Sequence, residues 1–187
     1  MFNLKYMQEY DFDTLNFVQV GMEAPKFTAE AYYKGEFKKY SLDDFKGKWT
    51  LLFFYPLDFT FVCPTEILEL SEKAEEFEGV NTQILAASVD SVHSHKAWCK
   101  EIGDLNFPML SDLNKELSMS YGVLNEDGVS LRGAFIIDPD GVLQSAVVNN
   151  LPVGRNIDEL KRLIEAFQTG ELCPVNWNKG KDTLGKA

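Results

Sequence analysis

Trp49-Thr50-Leu51-Leu52-Phe53-Phe54-Tyr55-Pro56-Leu57-Asp58-Phe59-Thr60-Phe61-Val62-Cys63-Pro64-Thr65-Glu66 is the stretch from which the fold can be read. From Trp49 to Tyr55 it is a continuous apolar run rich in aromatics and closed by Pro56, the pattern of a central strand buried on both faces. Beyond it Ile67, Leu68, Leu70, Ala74 and Phe77 mostly follow helical spacing, with Pro64 where a first-turn proline is favoured, so one helix is predicted over residues 64–77. A buried strand passing through a short loop into a helix is a building unit of α/β folds, whose sites form just beyond the carboxyl ends of strands. Cys63 stands at that place.

Working outward, Gly35-Glu36 between Tyr32-Tyr33 and Phe37 reads as a hairpin turn. Residues 83–89 predict a second buried strand, 91–101 a helix and 113–120 a short helix. Residues 133–138 predict a strand, Pro139-Asp140-Gly141 a turn, and 142–148 a strand pairing back on it. Asn156 caps a last helix with Glu159 three residues on, Leu160, Leu163, Ile164 and Phe167 give its buried stripe, and Gly170 ends it. The alternation predicts an α/β fold with a central mixed β-sheet flanked by helices. Residues 1–170 form the domain. The polar segment 171–187, with Gly180 and Gly185, reads as a flexible C-terminal tail, apart from Cys173-Pro174 and Trp177.

The chain has 187 residues, enough for one domain that buries roughly 70% of its unfolded surface without metal or disulfide staples. A composition with 13% aromatic residues, 14 of them Phe, excludes disorder as the main state. The excess of 29 acids over 18 bases gives a net charge of -11, which repels phosphate backbones and anionic lipid. No nucleic-acid or membrane partner is therefore expected. Residues 1–13 carry one Lys and three acids and lack a signal peptide's apolar core and cleavage site. The longest apolar stretch, residues 49–57, falls short of the roughly 18 residues of a membrane span. The cysteines are three, with no close pair, which is not a secreted disulfide scaffold. The expected setting is a reducing cytoplasm.

Cys63 precedes the predicted helix directly, so free backbone N–H groups and the positive end of the dipole favour its thiolate. Magnitude shows that this is insufficient. Taking a thiol from about 8.5 to about 6 needs roughly 3.4 kcal/mol, whereas a helix terminus supplies about 0.3–1 kcal/mol, at most roughly 2. A guanidinium from elsewhere in the chain is wanted. Cys99, within Ala97-Trp98-Cys99-Lys100, reads as a structural thiol. His93 and His95 are two apart, hence on different sides of a helix; they make a poor metal pair and read as surface histidines. No metal and no cofactor are expected.

The pattern Pro56-x-x-x-Thr60-x-x-Cys63, within Phe59-Thr60-Phe61-Val62-Cys63-Pro64-Thr65-Glu66, resembles the peroxidatic loop of peroxiredoxins. The match is closest to the typical two-cysteine branch that includes bacterial alkyl hydroperoxide reductase C-type proteins. The likeness runs over residues 20–177. Leu131-Arg132-Gly133-Ala134-Phe135-Ile136-Ile137-Asp138 and Gly170-Glu171-Leu172-Cys173-Pro174 match in order and spacing. The resemblance implies a thioredoxin-like fold and a thiol-dependent peroxidase acting on hydrogen peroxide and alkyl hydroperoxides. It implies Cys63 as the peroxidatic nucleophile, Thr60 as hydrogen-bond partner of thiolate and substrate, Pro56 as a shield against water, and Arg132 as the wanted cation. Cys173 would be the resolving thiol of a partner subunit, and Glu66 and Arg155 would orient Arg132. A homodimer follows from that scheme, a decamer from the resemblance alone. The reductant would be thioredoxin or a dedicated flavoprotein disulfide reductase.

Two other readings stay open at this level. A thioredoxin-like disulfide exchanger shares the expected fold, but Glu66 stands where the second cysteine of a CxxC pair would be. A non-enzymatic, holdase-type assembly is compatible with rings exposing apolar surface. The chain also departs from peroxide-sensitive members of the family, having no Gly-Gly-Leu-Gly insertion in residues 101–106 and no aromatic residue after Trp177. The expectation is a loop that opens readily and a Cys63 seldom over-oxidised.

Overall fold

Side chains of the apolar run point alternately to two sides of a sheet, and both sides are buried. Leu51, Phe53 and Tyr55 enter one core with Ile67, Leu70, Phe77, Trp98, Leu160 and Ile164. Leu52 and Phe54 enter a second core with Leu85, Leu110, Leu117, Tyr121 and Phe135. In this computed structural model, which describes residues 18–186, the elements follow in order. They are β1 (Thr28–Tyr33), β2 (Glu36–Ser41), β3 (Trp49–Phe54), α1 (Cys63–Glu72), α2 (Ala74–Glu78), β4 (Thr82–Ser88), α3 (Val92–Ile102), β5 (Met109–Ser111), α4 (Glu116–Ser120), β6 (Arg132–Ile137), β7 (Leu143–Asn149) and α5 (Ile157–Gln168). The reading of residues 1–13 lies outside the described residues.

The strands form a seven-stranded sheet in the order β2-β1-β5-β4-β3-β6-β7. β3, β4 and β5 run parallel, and β1, β2, β6 and β7 pair antiparallel at the flanks, so the sheet is mixed as expected. Helices α1, α2, α3 and α5 contribute to the first core and α4 to the second. Long apolar runs mark the parallel centre because both of its faces are covered.

Local differences from the predicted elements have identifiable causes. The β1–β2 turn is Lys34-Gly35, both with positive φ, one residue earlier than expected. The helix expected over 64–77 is two helices, with the break at Lys73, where the Asn106 side-chain amide takes the Ser71 carbonyl. The helix expected over 113–120 starts only at Glu116. Asp112 caps it by accepting the N–H groups of Leu117 and Ser118 at 2.8 and 2.7 Å, which leaves 113–115 as a turn. β5 has no counterpart among the predicted strands: three residues are too few to show a period, and pairing with β4 and β1 defines it.

The tail, expected to be flexible, contains no helix or strand among its described residues. It nevertheless folds back on α5. Trp177 is buried, Arg162 Nη1 donates to the Trp177 carbonyl at 2.8 Å, and the tail closes on itself as the Leu172 N–H donates to the Gly185 carbonyl and the Leu184 N–H to the Leu172 carbonyl. No helix among the described residues is long and apolar enough to cross a membrane.

Because β3 is the wall shared by both cores, Leu52→Ala should lower the unfolding free energy by about 2–5 kcal/mol in urea titration. A loss below about 1 kcal/mol would mean that the second core is packed differently.

Candidate active site

β3 delivers the chain to the edge of the first core, and the residues after it are held individually. Tyr55 donates its N–H to the Ala87 carbonyl at 3.0 Å, its own carbonyl accepts from the Ser130 hydroxyl at 2.7 Å, and Pro56 is buried. Phe59 adopts a left-handed backbone with φ 55, Phe61 is 97% exposed, and α1 opens at Cys63, one residue earlier than predicted. No side chain caps the Val62 position before it, and Cys63 itself is fully buried.

Glu66 lies one turn along α1, on the same face as Cys63. Its Oε2 accepts from Arg132 Nη1 at 2.6 Å and Arg155 Nη2 at 3.2 Å, and its Oε1 from the Arg155 Nε at 2.9 Å and backbone N–H at 2.7 Å. Arg132 opens β6. Its Nη1 also points at Cys63 Sγ, 3.5 Å away, while its Nε donates to the Leu151 carbonyl at 2.6 Å. Arg155 donates Nη1 to the Gly133 carbonyl at 2.5 Å and lays its guanidinium 3.3 Å over the Phe53 ring. Gly133 leaves no room for a side chain: a Cβ there would lie 2.8 Å from the Phe135 ring and 2.9 Å from Val123.

Electrostatics agrees with the geometry. Burial alone would raise the carboxyl of Glu66, but hydrogen bonds and charge from Arg155, with the charge of Arg132, hold it below its ordinary value. Burial pushes Arg155 down to about 10 against the pull of Glu66. The buried charges are paired with one another, and the pairing points Arg132 at the sulfur.

The expected site residues divide into two groups. Cys63, Glu66, Arg132 and Arg155 are brought together. Thr60 and Pro56 belong to the same loop, but the Thr60 hydroxyl donates to the Leu57 carbonyl at 3.0 Å rather than to the sulfur. Cys173 is not part of this cluster. Its half-buried thiol donates to the Ala166 carbonyl at 3.6 Å and meets the Thr169 hydroxyl at 3.5 Å. The polar composition of the tail does not leave Cys173 fully exposed, since the tail packs it on α5. Arg155 and Ala166 lie near opposite ends of α5, roughly 15 Å apart along its axis. A disulfide needs Cα atoms within about 7 Å.

Cys99 is buried and donates to the Met109 sulfur at 3.4 Å, and burial, with Asp58 and Asp104, pushes its thiol up to about 12. Its burial fits the reading of a structural thiol. His95 is not a surface residue. It is fully buried, and its Nδ1 lies 2.9 Å from Asp58 Oδ2. The sequence does hold a signal for it: Val92, His95 and Cys99 repeat at three and four residues on α3, the stripe that faces the core. Asp58, which completes that buried network together with Tyr55, carries no such signal.

The family model described as AhpC/TSA family matches residues 20–146. The chain belongs to that family. It is 52% identical over 176 residues to peroxiredoxin prdx-2 of Caenorhabditis elegans, covering 88% of each chain. It is 53% identical over 176 residues to the mitochondrial thioredoxin-dependent peroxide reductase of Rattus norvegicus, covering 88% of this chain and 68% of that one. The reduced 2-Cys peroxiredoxin of Plasmodium vivax superimposes with a TM-score of 0.86 at 45% identity, covering 88% of this chain and 91% of that one. This peroxiredoxin therefore has the thioredoxin-like fold, and it is a thiol-dependent peroxidase.

Glu66 gives a pH-dependent prediction. Its folded carboxyl titrates below its ordinary value, so its contribution to stability is present above the unfolded value and is lost as pH falls through the folded one. Glu66→Gln, which leaves two buried guanidiniums short of a counter-charge, should be about 3–5 kcal/mol less stable at pH 7. In urea melts the gap to the wild type should shrink as pH falls below 4.5, the ordinary value. A gap independent of pH would contradict the charge assignment.

Proposed function

We propose that Cys63 is the peroxidatic cysteine and that Arg132 is the cation serving it. The observation that carries this reading is the 3.5 Å approach of Arg132 Nη1 to Cys63 Sγ, with that same nitrogen fixed by Glu66 at 2.6 Å. The thiolate attacks the terminal oxygen of a hydroperoxide, the O–O bond breaks, and the leaving oxygen departs as alcohol or water after taking a proton. Cys63 becomes a sulfenic acid. Negative charge grows on the leaving oxygen in the transition state, where a donor already held in place costs no reorganisation. Thr60 turns its hydroxyl from the Leu57 carbonyl toward sulfur and peroxide, Pro56 keeps water from the loop, and Glu66 and Arg155 orient Arg132.

Cys173 of a second copy is the resolving thiol. It condenses with the sulfenic acid, releasing water and leaving an intersubunit disulfide. Separation by the length of α5 favours a partner's thiol over the chain's own. β7, the last strand of the sheet, pairs with β6 and, at Leu143 only, with the Gly21–Met22 segment, so the rest of its outer edge offers itself to a second copy. We extend the reading to a homodimer, to a decamer of five such dimers, and to a reducing compartment such as the cytoplasm. A thioredoxin or a dedicated flavoprotein disulfide reductase restores the thiols.

Stoichiometric peroxide should shift the reduced protein to dimer size on a non-reducing gel, and both Cys63→Ser and Cys173→Ser should abolish the shift. A wild type that stays at monomer size would refute the intersubunit scheme. In stopped-flow oxidation, Arg132→Ala should lose at least about a hundredfold in rate, roughly 2.7 kcal/mol of transition-state stabilisation. A loss under about tenfold would mean that Arg132 does not serve the sulfur in this way.

A further inference from the structure

Beside the cysteine loop lies a buried polar network that the peroxidatic chemistry does not use. The side chains of Asp58 and His95 are both wholly buried. His95 Nε2 lies 3.2 Å from the Leu110 carbonyl, which can only accept, so that nitrogen carries a proton. On the other side of the ring, Nδ1 and Asp58 Oδ2 share a second proton across 2.9 Å. Asp58 Oδ1 accepts from the Tyr55 hydroxyl at 2.7 Å, and Oδ2 from the Ser94 hydroxyl at 2.8 Å. The Asp58 N–H donates to Asp90 Oδ2 at 2.9 Å, and Asp90 is held in turn by the Ser88 hydroxyl at 2.7 Å. One loop residue is thereby tied to the ends of β3 and β4, to α3 and, through His95, to β5.

The next residue is strained. Phe59 has φ 55, a region that bulky side chains avoid, and its ring is half exposed with Trp98 as its aromatic neighbour at 6.3 Å. Between Asp58 and Cys63, Thr60 bonds only within the loop, to the Leu57 carbonyl, and Phe61 is fully exposed; the Val62 carbonyl is held by the first turn of α1, accepting from the Thr65 hydroxyl at 2.7 Å and from the Thr65 and Glu66 N–H groups. The closed loop thus hangs between two anchors, Asp58 at one end and the opening turn of α1, with the Arg132–Cys63 contact, at the other. Releasing the first lets Phe59 relax and displaces the segment leading to the sulfur.

Resting on the peroxidatic role of Cys63, we infer that Asp58 and His95 are positioning residues, a clamp whose strength divides oxidised Cys63 between two fates. In one, the sulfenic acid condenses with the Cys173 thiol to a disulfide and water, which needs the loop open. In the other, it takes an oxygen from a second hydroperoxide to become sulfinic acid, releasing alcohol or water, which needs the pocket closed. A looser clamp favours disulfide and slows the first oxidation. A stiffer one does the reverse.

Three variants of the full chain test this: Ser94→Ala, which removes one hydroxyl, Asp58→Asn and His95→Gln. After cycling with peroxide and dithiol, mass spectrometry reads disulfide against the +32 Da sulfinic form. Ser94→Ala should raise that ratio about fivefold, the factor one buried hydrogen bond is worth, and Asp58→Asn and His95→Gln should raise it further. Stopped-flow oxidation of Cys63 should slow in the same order. A ratio that stays at the wild-type value despite a lowered melting temperature, or one that falls, overturns the clamp. Hydrogen exchange of amides 57–62 in the reduced protein reads the clamp without any peroxide chemistry: faster exchange in Ser94→Ala supports it, and unchanged exchange overturns it. A wild type whose Cys63 resists peroxide defeats the catalytic assignment instead, and the exchange result still decides on the clamp.

Discussion

One carboxylate between two guanidiniums organises the reactive end of the molecule. Glu66 meets Arg132 from β6 and Arg155 from the segment leading into α5, and each arginine also reaches a backbone carbonyl, Leu151 or Gly133. Helix α1, strand β6 and the start of α5 are held in one register by these contacts. Taking such charges out of water is expensive, and the lowered value of Arg155 shows that burial outweighs what its partner returns. A packed apolar cluster would hold the elements together more cheaply. What it could not do is aim a fixed positive charge at a sulfur atom.

The three cysteines show how far environment governs one functional group. Cys99 sits among apolar side chains with Asp58 and Asp104 adding negative charge, and its thiol is pushed up to about 12, far from a nucleophile. Cys63 is as deeply buried, but its neighbour is a guanidinium and the opening turn of a helix. Cys173 is only half-buried and rests on carbonyl and hydroxyl groups at the far end of α5. Burial does not distinguish Cys63 from Cys99; the charged group beside each one does.

Much of the fold is legible in the sequence because its signals are local. The run from Trp49 to Phe54, the Asn156 cap that accepts the Glu159 N–H, and the Pro139-Asp140-Gly141 turn each need only neighbouring residues to be recognised. The departures are also instructive. β5 is defined by its partners, α4 is shortened by a carboxylate preceding it, and the long helix is broken by the side chain of Asn106. Each outcome depends on a contact with a group whose position the local pattern does not specify. His95 departs for a different reason: its spacing from His93 suggests a metal pair to be weighed, while its spacing from Val92 and Cys99 carries the true information.

From the residues alone come the strand that divides two cores, the cysteine at the mouth of a helix, the need for a distant cation, and the order of the elements. These follow from hydrophobic period, capping chemistry and charge magnitude, all of which act over a few neighbouring positions. Which guanidinium reaches the sulfur, how Glu66 holds it, that Thr60 bonds to the Leu57 carbonyl, and that Asp58 grips a buried His95 belong to the tertiary structure. Most of those groups are separated by tens of residues along the chain. Their distances exist only once the sheet has set the elements beside one another, because a hydrogen bond falls off within a fraction of an ångström while a sequence pattern has no measure of space.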